Sequence, residues 1–306
     1  PIRDTPPTTL LFVGDIMLDR NVAKRSQLAH DPGYPFRRLP SGWFDQVDEA
    51  VANLEGPVTN KRRPPEKSID FQFDPSLVEM LKEQGIDAFS QANNHTLDQG
   101  RLGAEDSHAR LKAVGFLVFG DEVRDNDIAF ATTTIHGQRF AFVGFNTTNN
   151  PLDEQDASST LAKAHAFADH VVVFMHWGLE YRDHAPQSVI DEAHWLIDHG
   201  ADIVIGGHPH WVQGFDIYKG HPIVYSLGNF IFDQDFSKET REGLALKLTV
   251  DGSRISIEPI PIQIDLSQPH VVEGIERTAR LTHLADISDP NLREQIQRGK
   301  VDIVLP

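Results

Sequence analysis

Short, continuous apolar runs alternate with stretches of helical periodicity along most of this chain, and that alternation restricts the fold more than any other feature. The runs Thr9–Val13, Val47–Leu54, Ile86–Ser90, Phe140–Phe145, Val171–Met175, Asp202–Ile205 and Pro222–Ser226 read as strands. Between them lie amphipathic helices. The clearest is expected from Pro186 to His199, where Val189, Ile190, Ala193, Leu196 and Ile197 repeat at helical spacing and Gly200 ends the run. A second is expected to start at Asp74 and Pro75, with Leu77, Met80 and Leu81 on one face. The pattern predicts an α/β fold, neither a helical bundle nor a pure β-sandwich. From Gly243 it changes to an antiparallel hairpin over 243–264, turning at Asp251 and Gly252, which adds a mixed or second sheet. Residues 1–268 are therefore expected as one domain, followed by a C-terminal helical or irregular extension over 269–306.

Composition narrows the chemistry. At 306 residues and 40% apolar content the chain can bury a large core. Its formal net charge of -17 repels phosphate backbones and anionic lipid, so nucleic acid is not an expected partner. The absence of cysteine excludes disulfides, thiolate metal sites and cysteine nucleophiles. No apolar run approaches the roughly 20 residues of a membrane span. The chain opens on Pro1 with no leader. A place in the cell envelope or outside the cytoplasm is expected if a leader has been removed, and a soluble cytoplasmic one otherwise.

The polar residues at the strand ends carry the functional signal. Asp15 closes LLFVGD, Glu55 follows VANL, Asn94 and His95 follow the third run, His176 closes VVVFMH, and His208 with His210 close DIVIGGHPH. Carboxyl ends of strands are where sites assemble in α/β sheets. Any one of these groups is explained by a turn or a structural hydrogen bond; ligand-type side chains at so many strand ends point to a metal. Two carboxylates, an amide and several imidazoles suit Zn, Mn, Fe or Mg, as one ion or two, with Glu55 able to bridge a pair.

The motifs GDIMLDR (14–20), NLEGPVT (53–59), ANNHTLDQG (92–100), HWGLEY (176–181), GGHPHWVQG (206–214) and YSLGNFIFDQ (225–234) occur in that order. In them the chain resembles the CapA or PgsA type of poly-gamma-glutamate capsule protein, a branch of the calcineurin-like metallophosphoesterase superfamily. The resemblance implies a two-sheet α/β sandwich of four layers, with helices outside mixed sheets. It implies a divalent metal, one or two ions, surrounded by Asp15, Glu55, Asn94, His176, His208 and His210, with His95 protonating a leaving group or holding the transition state. Met17 stands where the superfamily usually has a histidine ligand, and Glu55 where it has a bridging aspartate; both departures are typical of the branch. With Met17 the first metal position lacks a ligand, since a thioether is a poor partner for hard ions.

Supporting roles are expected for further residues. Asp98 either orients His95 or serves as a turn or cap residue. Arg20 either clamps a carboxylate or phosphate or makes a surface ion pair. The loop KRRPPEK (61–67) either draws a polyanion to the site or is simply solvated. Trp177, Tyr181 and Trp211 either wall the pocket or pack in the core. Asn229 is placed at the cavity by the resemblance alone. The function expected is a metal-dependent hydrolase acting on an anionic polymer or peptide, alongside other capsule-synthesis proteins. A peptide epimerase and a non-catalytic polymer-binding accessory protein are the alternatives. Neither G-x-S-x-G nor a Walker-type loop occurs.

Overall fold

A computed structural model describes residues 6–120 and 129–306; Pro1, on which the leader argument rests, lies outside them. The strands in chain order begin with β1 (Thr8–Ile16), β2 (Glu49–Leu54), β3 (Ala88–Ser90), β4 (Leu117–Phe119) and β5 (Phe130–Ile135). Next come β6 (Gln138–Asn146), β7 (His170–His176), β8 (Ile203–Gly207), β9 (Val212–Tyr218) and β10 (His221–Leu227). The last are β11 (Asn229–Ile231), β12 (Glu242–Asp251), β13 (Arg254–Asp265), β14 (Gln268–Val271) and β15 (Val301–Val304). The helices are α1 (Arg20–Leu28), α2 (Leu77–Glu83), α3 (Gly100–Ala113), α4 (Glu154–Phe167), α5 (Gln187–Asp198), α6 (Gly274–Asp286) and α7 (Arg293–Gln297).

Among the described residues the strands form two mixed sheets. The first runs β14-β13-β12-β1-β2-β3-β4, with β11 on β1 and β15 on β13; the second runs β5-β6-β7-β8-β10-β9. Burial of both faces explains why the inner strands are apolar at successive positions. On β1, Leu10 and Phe12 enter the core between the sheets, while Leu11 and Val13 face the layer holding Val22 of α1 and Leu81 of α2. On β7, Val172 and Phe174 point to the shared core, and Val171, Val173 and Met175 point to Leu161 of α4 and Leu196 of α5. The inner strands β1, β2, β7 and β8 are covered on both faces, which gives the expected four-layer sandwich.

The C-terminal segment is part of this body. β14 and β15 both pair with β13, and Leu281, Leu284 and Ile296 of α6 and α7 join the core between the sheets. The helix expected from Asp74 begins at Leu77 instead, because the Asp74 carboxylate accepts the Ser76 N–H at 2.9 Å and closes a turn first.

One buried acid makes stability pH-dependent. Glu49 opens β2 at 7% exposure, and burial, then the charge of Asp87, push its carboxyl from the ordinary 4.5 up to about 7. The folded chain holds this proton more tightly than the unfolded chain. Its stabilising contribution is therefore complete below pH 4.5 and is lost as pH rises through about 7. Glu49→Gln is expected to stabilise the protein by about 3 kcal/mol at pH 8.5 and by little at pH 4 in urea melts. An equal gain at both pH values would contradict this origin.

Candidate metal centre

The carboxyl ends of three strands of the first sheet and two of the second face one another. Parallel pairing of β1 and β2 slips between Val13 and Asp15, and this irregularity re-aims the Asp15 side chain. It needs Gly14: a Cβ there would lie 1.9 Å from the Gly228 carbonyl oxygen. Asp15 is fully buried; one oxygen accepts from Asn53 Nδ2 at 2.8 Å, and the other accepts the His208 N–H at 3.3 Å. Glu55 follows β2 and is also fully buried. His176 ends β7, its Nε2 lying 2.9 Å from Asn94 Oδ1. His208 and His210 follow β8 on backbone with φ of 91° and 58°. The His208 ring lies 4.8 Å from that of His176, and His210 Nδ1 lies 3.4 Å from Asp15. The structure thus brings all the expected ligands into one cluster, with ligand atoms of Asp15, Glu55 and His176 within 4.8 Å of one another.

The chemistry of this cluster fits a cation. Among the described residues neither oxygen of Glu55 has a hydrogen-bond partner, nor has Nδ1 of His208. Burial, then the charges of Asp15, Glu180 and Asp98, push the Glu55 carboxyl well above its usual range. Burial lowers His208 to about 3 and His176 well below its ordinary value, so both imidazoles are neutral, the form that binds metal. An unpaired buried carboxyl beside a second buried carboxylate is costly unless a positive charge sits between them.

His95 sits at the edge of the cluster. Its Nδ1 is 2.7 Å from Asp98 Oδ2, which also accepts the Phe71 N–H at 2.7 Å, and its ring lies on Phe71 with centroids 4.1 Å apart. The carboxylate assigns the proton to Nδ1 and leaves Nε2 facing Glu55 at 3.8 Å. Burial holds the His95 pKa below its ordinary value, against the opposing pull of Asp98. Lys67, from the basic loop, closes the group: its Nζ is 2.6 Å from Asp98 Oδ1 and 2.6 Å from the Asn94 carbonyl.

The model of the family described as "Bacterial capsule synthesis protein PGA_cap" matches residues 9–234, the stretch that carries all of these side chains. The chain belongs to this capsule synthesis family. It is 28% identical to the PGA biosynthesis protein CapA of Bacillus subtilis, over 95% of this chain and 80% of that one. It is 30% identical to the capsule biosynthesis protein CapA of Bacillus anthracis, over 88% and 71% respectively. A hypothetical protein from Thermus thermophilus shares the fold, with a TM-score of 0.51 and 18% identity over 87% of this chain and 99% of that one.

Within this capsule-family fold two expected substrate contacts are corrected. Trp177 is fully buried on the face of β7 opposite His176, because successive strand residues point to opposite sides; its indole N–H donates to the Tyr225 carbonyl at 2.9 Å. Asn229 is fully buried behind the site. Its register opposite Asp15 puts its Oδ1 2.9 Å from His210 Nδ1, while its Nδ2 donates to Thr240 and Gln234. It positions a histidine. Arg20 pairs with Asp233 and lies over the rings of Phe71 and Phe232, at 5.1 and 5.7 Å, on the wall that carries His95. Tyr181 lies 6.0 Å from the His210 ring; burial, then Glu180, push its phenol up to about 12, so it stays protonated.

Asn53 and Glu180 were not expected from the sequence. Asn53 links Asp15 to Asn93 and lies 3.4 Å from His176 Nδ1. Its signal was the spacing to Glu55, since residues two apart in a strand share a face.

Proposed function

We propose that the chain is a metal-dependent hydrolase acting on the glutamyl polymer of capsule synthesis or on a precursor of it. The Glu55 carboxyl carries the reading: it is buried and, among the described residues, without a hydrogen-bond partner beside Asp15 and His176, next to a histidine oriented by a carboxylate. Asp15, Glu55, Asn94, His176, His208 and His210 would hold one or two divalent ions. When bound, such an ion supplies Lewis acidity toward a phosphoryl or amide oxygen and lowers the pKa of water. Asp98 fixes the His95 tautomer, so that Nε2 is the atom that exchanges a proton with the reacting group. Phe71 covers one face of the His95 ring.

Charge favours one approach to the site. The groove of about 800 Å3 beside Gly178 and Leu179 carries Glu154, Asp191 and Glu192, which repel a polyanion. The loop with Lys61, Arg62, Arg63 and Lys67 is the basic stretch of an acidic chain, and it leads to Asp98. The polymer would enter along this loop.

The test is turnover of γ-glutamyl peptides and phosphoesters by the Mn2+-loaded protein before and after chelation. Cleavage of one class, lost on chelation and restored by Mn2+, is expected. Metal-loaded protein that binds poly-γ-glutamate yet cleaves neither class would replace this reading with the accessory role. Inversion at an α-carbon with deuterium uptake and no cleavage would replace it with the epimerase.

A further inference from the structure

We propose that Glu180 is a metal ligand, completing with His208 and His210 a second cation position beside the one framed by Asp15, Glu55 and His176. The inference rests on the divalent-metal reading above and adds to it a residue that the strand-end pattern did not contain.

Ligand atoms of Glu180, His208 and His210 all lie within 4.8 Å of one another. His210 Nε2 and Glu180 Oε1 are 3.9 Å apart, too far for a hydrogen bond. Metal–nitrogen and metal–oxygen bonds of about 2.0–2.2 Å would span that gap with an ion between. The other nitrogen of His210 is already committed, since Nδ1 meets Asn229 Oδ1 at 2.9 Å, and this fixes the ring with Nε2 toward Glu180. Such a partner on the far nitrogen is the usual support of a metal-binding histidine. The independent observation is His208: it is 7% exposed, and its Nδ1 has no hydrogen-bond partner among the described residues.

Met17 explains why a ligand from another loop is needed. Its side chain is fully buried in the core beneath α1, and its sulfur accepts the Asp19 N–H at 3.1 Å, so the first strand's loop offers Asp15 alone. Glu180 comes instead from the loop after β7, which is tied to the histidine loop by the Tyr181 N–H donating to the Pro209 carbonyl at 2.9 Å. A carboxylate in place of an imidazole makes this position harder, suiting Mn2+ over softer ions. Its side chain is 43% exposed, so the second position lies at the rim, where an ion can enter from solvent.

The experiment is a Mn2+ titration of the metal-stripped full chain, with free Mn2+ read by electron paramagnetic resonance. Wild type, Glu180→Ala and Glu180→Asp are compared, and circular dichroism reports their folding. Two equivalents are expected for wild type, loss of one in Glu180→Ala, and recovery in Glu180→Asp. Two equivalents retained by Glu180→Ala, or a single equivalent in both proteins, would overturn the role of Glu180 and leave the metal reading standing. No binding by wild type would overturn both.

Discussion

Glu55→Gln is expected to weaken divalent-metal binding at least about 100-fold while making the metal-free protein more stable at neutral pH. The two effects share a cause. The wild-type carboxyl is fully buried and among the described residues has no hydrogen-bond partner, with Asp15 and Asp98 adding negative charge around it. Without an ion it opposes folding, and with one it becomes a strong ligand. An amide of the same shape removes the charge and with it both the penalty and the affinity. Thermal melts with and without Mn2+ check this directly: wild type should gain far more from the ion than the variant. A variant stabilised by Mn2+ as much as wild type would show that Glu55 is not a ligand.

His95→Ala is expected to lower turnover by about 10²- to 10⁴-fold with metal content unchanged. Its Nε2 is the one ring nitrogen not taken up by Asp98, and it faces the cluster from the edge. Asp98→Asn should cost less, about 10- to 100-fold, because the ring keeps its stacking on Phe71 but loses the carboxylate that fixes its tautomer. The limb of the pH profile that His95 sets should move to lower pH in Asp98→Asn, since Asp98 is what raises the His95 pKa against burial. Equal turnover in His95→Ala and wild type at equal metal content would remove this residue from the chemistry.

The inner strands were legible because they are covered on both faces, so a run such as VVVFM is apolar at every position. The candidate ligands were legible because Asp15 lies at the carboxyl end of β1, His176 ends β7, and Glu55, Asn94 and His208 follow β2, β3 and β8 within four residues, where these ends converge. Direction along a strand was harder to use. Trp177 follows His176 and points to the opposite face, whereas Asn53 precedes Glu55 by two and shares its face; both follow from period two. Glu180, and the contact of Lys67 with Asp98, were hidden for a different reason. Each residue belongs to an irregular loop, and their places beside His210 and Asp98 depend on tertiary contacts that no periodicity encodes. The C-terminal segment read as a helical or irregular extension because α6 is mostly polar; only Leu281, Leu284 and Ala285 turn inward, one stripe at helical spacing.

Anomalous diffraction from crystals grown with Mn2+ tests the metal centre most directly. A peak within bonding distance of Asp15, Glu55 and His176, absent from Glu55→Gln crystals, is the result predicted. Well-ordered side chains in that cluster with no anomalous peak among them would contradict it.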